Sequence, residues 1–113
     1  MKIVFTSKGD SWDSLVDPRF GRAEMFLVYD EQTQVLETIG NQETESMEHG
    51  VGLQSSKKIL NIGTNIVITG NGAGSKALDI LKTTGVEFYT GAGDMSIKDA
   101  YTAYKNNQLT KQF

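Results

Sequence analysis

Apolar and polar positions alternate in short blocks, and the block type changes halfway along the chain. Lys2 to Ser7 is a β-branched and apolar run, ended by Lys8-Gly9-Asp10, and predicts a buried strand. Residues 8–23 form a long polar stretch that holds the lone proline, Pro18, and the lone tryptophan, Trp12. Glu24 to Asp30 and Gln34 to Ile39 predict two further strands, joined so tightly that they form an antiparallel hairpin. Residues 40–50 are polar and acidic and predict a mobile loop. From there the period switches to that of helices. Val51 to Asn61 predicts a helix, with Leu53, Ser56, Ile59 and Leu60 at helical spacing and Gly63 as a stop. Ile66 to Thr69 predicts a strand, and Ser75 to Thr84 a helix capped by Gly85. Val86 to Thr90 is another strand, and Ser96 to Tyr104 a last helix with a Ser96/Asp99 capping box. The tail from Lys105 is polar and is expected to fray.

The expected order is β-β-β-α-β-α-β-α, an α/β fold in one domain over residues 1–113. Alternation in the second half implies parallel strands with right-handed crossovers. Ile3-Val4-Phe5-Thr6 is echoed by Ile66-Val67-Ile68-Thr69, as two buried parallel strands would be. With the first strand central, the loops 8–23, 40–50, 70–74 and 91–95 all leave the sheet on one side. Ligands of open α/β sheets usually sit there.

Composition narrows the chemistry. The chain has no cysteine, so disulfides, thiolate zinc sites and clusters held by its own thiolates are excluded. A single histidine, His49, excludes a multi-histidine metal site within one subunit. The net charge of −3 gives no global pull on nucleic acid or on an anionic membrane. No run approaches the roughly 18–20 apolar residues of a membrane span, and the short apolar start does not read as a signal peptide. A cytoplasmic protein is expected.

Unusual residues gather in the loops of the expected ligand side. Both arginines fall in Arg19-Phe20-Gly21-Arg22, while lysine is used nine times elsewhere. Two readings stand: a bidentate grip on an anion, or a loop pinned by ion pairs to Asp17 or Glu24. Thr69-Gly70-Asn71-Gly72-Ala73-Gly74-Ser75 joins a strand to a helix and offers close backbone approach and N–H groups. It is neither common nucleotide motif, because Ser75-Lys76 stands where either would need glycine at 75. Gly91-Ala92-Gly93-Asp94 adds a second such edge. His49 lies between Glu48 and Gly50, near Met47. It is either a solvated loop residue or, with Met47 and Met95, one of the few soft or borderline metal donors on that side. A two-metal nuclease lacks its platform, since Lys2 to Ser7 carries no carboxylate.

Asp17-Pro18-Arg19-Phe20-Gly21-Arg22-Ala23-Glu24, followed by Phe26-Leu27-Val28-Tyr29-Asp30, resembles the FGRA signature of the dinitrogenase iron–molybdenum cofactor biosynthesis family. That family includes NifX-like proteins and the C-terminal domain of NifB. His49-Gly50-Val51-Gly52, Val67-Ile68-Thr69-Gly70-Asn71-Gly72 and Val86-Glu87-Phe88-Tyr89-Thr90-Gly91 also match, as does the ending Ala100-Tyr101-Thr102-Ala103-Tyr104-Lys105-Asn106. Gly72-Ala73-Gly74 departs from the proline-containing loop of the family.

The resemblance implies an RNase H-like three-layer α/β/α fold with a five-stranded mixed sheet. It further implies a non-catalytic carrier that holds an iron- or molybdenum-containing sulfide cluster, or its precursor, non-covalently. Such a cluster brings its own sulfides, so the missing cysteines are no obstacle. Arg19, Arg22, Gly70, Asn71, Gly72 and Gly74 would hold the anion, and His49 would be the metal ligand. A cofactor-assembly or recipient protein would be the partner. Two other readings of the same residues remain: a binding module for a small anionic ligand or nucleotide, and a protein–protein adaptor acting through residues 40–50.

Overall fold

The computed structural model describes residues 1–41 and 50–113. The elements are β1 (Lys2–Ser7), β2 (Met25–Asp30), β3 (Val35–Gly40), α1 (Val51–Ile62), β4 (Ile66–Ile68), α2 (Ser75–Leu81), β5 (Glu87–Thr90), α3 (Ile97–Lys105) and β6 (Thr110–Lys111). They form one mixed sheet in the order β3-β2-β1-β4-β5-β6. β1, β4 and β5 are mutually parallel, while β2, β3 and β6 join by antiparallel pairs. The internal echo proves to be the register itself. Ile3 pairs Ile66, Val4 pairs Val67 and Phe5 pairs Ile68. The Thr6 hydroxyl then meets the Thr69 hydroxyl at 2.8 Å where the two strands end.

Side-chain alternation along the strands sorts the core into two layers. Val4, Phe26, Val28, Val67 and Phe88 face Ile59 of α1 and Ala77 and Leu81 of α2. Ile3, Phe5, Leu27, Ile66 and Ile68 face Ile97 and Ala100 of α3. Helices therefore cover both sheet faces, which is why β1 and β4 read as unbroken apolar runs. β3, at the sheet edge, is mostly exposed, with Leu36 packing partly on one core layer and Ile39 on the other.

Helix ends follow local chemistry. Gly63 closes α1 at φ 75°, its N–H bonded to the Leu60 carbonyl. Ser96 caps α3 through Oγ, which accepts the Asp99 N–H at 3.1 Å. Within α1 the buried residues are Ser55, Ser56 and Ile59, whereas Leu53 and Leu60 are each 44% exposed. Small hydroxyl residues let this helix approach its neighbours closely, and its two leucines are left outside.

Three expectations need correction. Among the described residues the sheet has six strands, not five. The tail does not fray: Thr110–Lys111 pairs with β5, and Phe113 stacks on Phe88 with centroids 4.8 Å apart. α2 stops at Leu81 instead of Thr84, and Gly85 lies beyond it in the turn to β5. Thr84 turns back there, its N–H and its hydroxyl both bonding the Leu81 carbonyl, which competes with another helical turn. The expected loop over residues 40–50 lies mostly outside the described residues.

Candidate functional site

The carboxyl ends of β1, β4 and β5 carry three loops that lock together. Asp17 donates its N–H to the Thr6 carbonyl at 2.8 Å, which turns the incoming chain across the top of β1. The Asp17 carboxylate is fully buried. Its Oδ1 accepts the Arg19 N–H at 3.0 Å and Arg19 Nε at 3.1 Å, and its Oδ2 accepts Arg19 Nη2 at 3.0 Å and the Glu24 N–H at 3.2 Å. Burial pushes the Asp17 carboxyl up. The bonds from the Arg19 side chain and from the two N–H groups, with the guanidinium charge, outweigh burial and hold it below its ordinary value of 3.8. Of the two readings of the arginine pair, the Asp17 fork is thus present for Arg19, which still leaves 49% of that side chain exposed.

Beyond Arg19 the chain dives and returns. Phe20 enters the core against Phe26 and, edge to face, against Phe88 at 5.1 Å. The Gly21 carbonyl accepts from Ser55 Oγ at 2.7 Å, and the Ala23 carbonyl from Asn41 Nδ2 at 2.9 Å. Arg22 is held between these anchors.

The glycine loops have steric reasons. A Cβ on Gly70 would come within 2.6 Å of Pro18 Cα, and one on Gly72, at φ 85°, within 2.5 Å of Gln112 Oε1. The Asn71 N–H bonds the Pro18 carbonyl at 2.9 Å, and the Gly91 N–H bonds the Gly70 carbonyl at 3.0 Å. Gly70, Asn71 and Gly72 therefore join the three loops to one another.

A cleft of about 430 Å³ opens where the FGRA loop meets the starts of α1 and α2. Its walls bring together Arg19, Arg22 and Gly74, three of the residues singled out in the sequence, and add Lys76, Gly21 and Gly52. Gly70, Asn71 and Gly72 sit on the adjoining loop and do not line it. Among the described residues three cations and no carboxylate line the cleft, and one of the three, Arg19, is paired with the buried Asp17 behind it. α1 begins here behind Gly50, which offers no side-chain cap, and Val51 and Gly52 of its first turn line the cleft. His49, the expected metal ligand, lies outside the described residues, one position before Gly50. Among the described residues no group of three or more His, Asp or Glu is placed to hold a metal ion.

Lys76 was not singled out in the sequence, where it is one of nine lysines. Its place in the cleft follows from the packing of α1 on α2, where Gly52 comes within reach of Ala77 and Lys76. A larger hollow, about 700 Å³, lies between β3 and α1. Lys2 and Lys58 are matched there by Asp30 and Glu37, and it holds none of the singled-out residues. No described helix is long and apolar enough to cross a membrane.

Known proteins share the fold of this chain. The chain is 30% identical in sequence to the orange protein of Desulfovibrio gigas, solved in its apo form. The match has a TM-score of 0.89 and covers 96% of this chain and 89% of that one. It is 29% identical to a Thermotoga protein described as NifB-like and placed in the DUF35 family. There the TM-score is 0.82, with 97% and 91% of the chains covered. An uncharacterized protein of Methanocaldococcus jannaschii is 32% identical over 99 residues, 85% of this chain and 81% of that protein. The family model described as dinitrogenase iron-molybdenum cofactor matches residues 1–107, and the chain belongs to that family.

Proposed function

We propose that the protein is a non-catalytic carrier for a metal–sulfur cluster or an iron–molybdenum cofactor precursor, held non-covalently in the cleft between the FGRA loop and α1. The observation that carries this reading is the convergence of Arg19, Arg22 and Lys76 on one cleft beside the starts of α1 and α2. Membership of the iron-molybdenum cofactor family supports the class of cargo. A cluster with its own sulfides needs counter-charge and N–H donors, and these side chains and the start of α1 supply both.

Arg19 is held in place by the buried Asp17, so its guanidinium loses little freedom on binding. Gly74 contributes backbone without side-chain bulk, and Gly70, Asn71 and Gly72 keep the adjoining loops in register. His49, next in the chain to Gly50, is the proposed metal ligand. Binding dominated by charge is reversible and weakens with salt, which suits a carrier that hands its cargo to a cofactor-assembly or recipient protein. The proposed setting is the cytoplasm.

Anaerobic titration with tetrathiomolybdate, a simple molybdenum–sulfur anion, tests this. Saturable binding that weakens about tenfold in Arg19→Ala, and further with added salt, is the expected result. Absence of binding, or binding indifferent to Arg19, Arg22 and His49, rejects it. A thermal-shift comparison addresses the nucleotide reading: a ligand at about 100 times its Kd raises stability by roughly 2.7 kcal/mol. Such a rise with nucleotides and none with thiomolybdate would favour that reading instead.

A further inference from the structure

We infer that the C-terminal segment is a strap that sets the Gly70–Gly74 loop, with Gln112 as a positioning residue for the cation-lined cleft; its effect on cargo rests on the carrier reading above. The backbone of residues 110–113 is fixed along β5. Thr110 and Lys111 pair with Thr90 and Tyr89, the Gln112 N–H bonds the Phe88 carbonyl at 2.7 Å, and the Phe88 N–H bonds the Phe113 carbonyl at 3.1 Å. Phe113 then lies flat on Phe88 at the margin of the core.

From that fixed point the Gln112 amide reaches the loop. Its Oε1 accepts the Ala73 N–H at 2.8 Å and its Nε2 donates to the Ala73 carbonyl at 3.0 Å. Both backbone groups of one residue are thereby held, as a strand partner would hold them. Gly72 leaves room for it, since a Cβ there would collide with the Gln112 amide. The other end of the loop is already tied to Pro18 and Gly91. Ala73 is the last residue before Gly74, where the loop becomes the wall of the cleft, with Lys76 close behind. The strap therefore fixes the one end that the FGRA segment does not. Residues 108–113 lie outside the part of the chain that the family model matches.

The unaltered protein, Gln112→Met and Lys111→Ala separate this role from general stability. Methionine keeps the length of residue 112 and removes both bonds. Lys111 belongs to the same strand, but its side chain pairs with Glu87 and not with the loop. Amide hydrogen exchange and anaerobic tetrathiomolybdate titration are read together. Gln112→Met is expected to speed exchange at Ala73 about fivefold and to weaken thiomolybdate binding by a similar factor. The β5–β6 amides should keep their protection, and Lys111→Ala should show neither effect on the loop. Unchanged exchange over residues 70–74, equal acceleration in Lys111→Ala, or faster exchange with unaltered affinity in a protein that binds would overturn the proposal. If the unaltered protein binds no thiomolybdate, the carrier reading falls, and the exchange result alone decides whether Gln112 sets the loop.

Discussion

The layer beneath α3 and the cleft at the start of α1 use residues in opposite ways. Under α3, Phe5, Trp12, Tyr29 and Tyr101 make edge-on contacts with centroids 5.0–6.5 Å apart. Bulk fills that space, and the polar tips are tied off: the Tyr101 hydroxyl donates to Glu31 at 2.6 Å and Lys105 reaches the same carboxylate at 3.0 Å. At the cleft the chain places Gly21, Gly52 and Gly74, so that backbones approach, with Arg19, Arg22 and Lys76 in the same wall. On the proposed function, stability and recognition are separated in space. A residue lost from the first region should alter folding, and one lost from the second should alter binding.

The largest test of that separation is Phe5→Ala. It removes a fully buried ring between β4 and the aromatic cluster and should lower unfolding free energy by about 3–5 kcal/mol, read by denaturant unfolding. Its affinity for thiomolybdate, measured where the variant is still folded, should stay within about twofold. A strong loss of affinity would break the comparison.

Asp17→Ala is next and straddles the two regions. It leaves a guanidinium and two N–H groups without their acceptor, a loss of roughly 2–3 kcal/mol with weaker cargo binding as well. Arg19→Ala leaves the buried Asp17 carboxylate with its backbone donors alone, so it should lower stability by roughly 1–3 kcal/mol and affinity roughly tenfold.

The pH limits sharpen the contrast. Asp17 is held below its ordinary value in the folded chain, so its contribution is present above about pH 4 and lost as pH falls through the folded value. Glu31, lowered by its bond from Tyr101 against the effect of burial and then by Lys105, adds to the same acid limb from the α3 side. Tyr101 has the opposite sign. Burial first, then the bond to Glu31, push it from 10.0 up to about 12. Its contribution is complete below pH 10 and lost as pH rises towards 12. Unfolding free energy measured against pH in Asp17→Asn and Tyr101→Phe should flatten the acid and the alkaline limb respectively. The smallest expected effect is that of Tyr101→Phe at neutral pH, about 1 kcal/mol with no change in binding.

Much of this arrangement was legible in the sequence, and for physical reasons. Buried parallel strands have to be apolar on both faces, so Lys2–Ser7 and Ile66–Ile68 showed themselves and even shared a register. The FGRA segment carried its own signal because arginine is used nowhere else. The strap was not legible. A two-residue exposed strand has no alternation to detect, and Phe113, an apolar residue closing a polar tail, was its one sign. Lys76 became a cleft residue only through helix–helix packing, which spacing along the chain does not reveal. The face of α1 was hidden for the same reason: Ser55 and Ser56 are buried there by hydrogen bonds to Gly21 and Gly52 while the leucines face out.

The most direct measurement is anaerobic equilibrium titration with tetrathiomolybdate of the unaltered protein, Arg19→Ala, Arg22→Ala and Phe5→Ala, at low and at physiological salt. Saturable binding by the unaltered protein and Phe5→Ala, about tenfold weaker in each arginine variant and weaker again with salt, is the expected result. Equal affinity in all four proteins, or none in any, would contradict a cation-lined cleft as the seat of a metal–sulfur cargo.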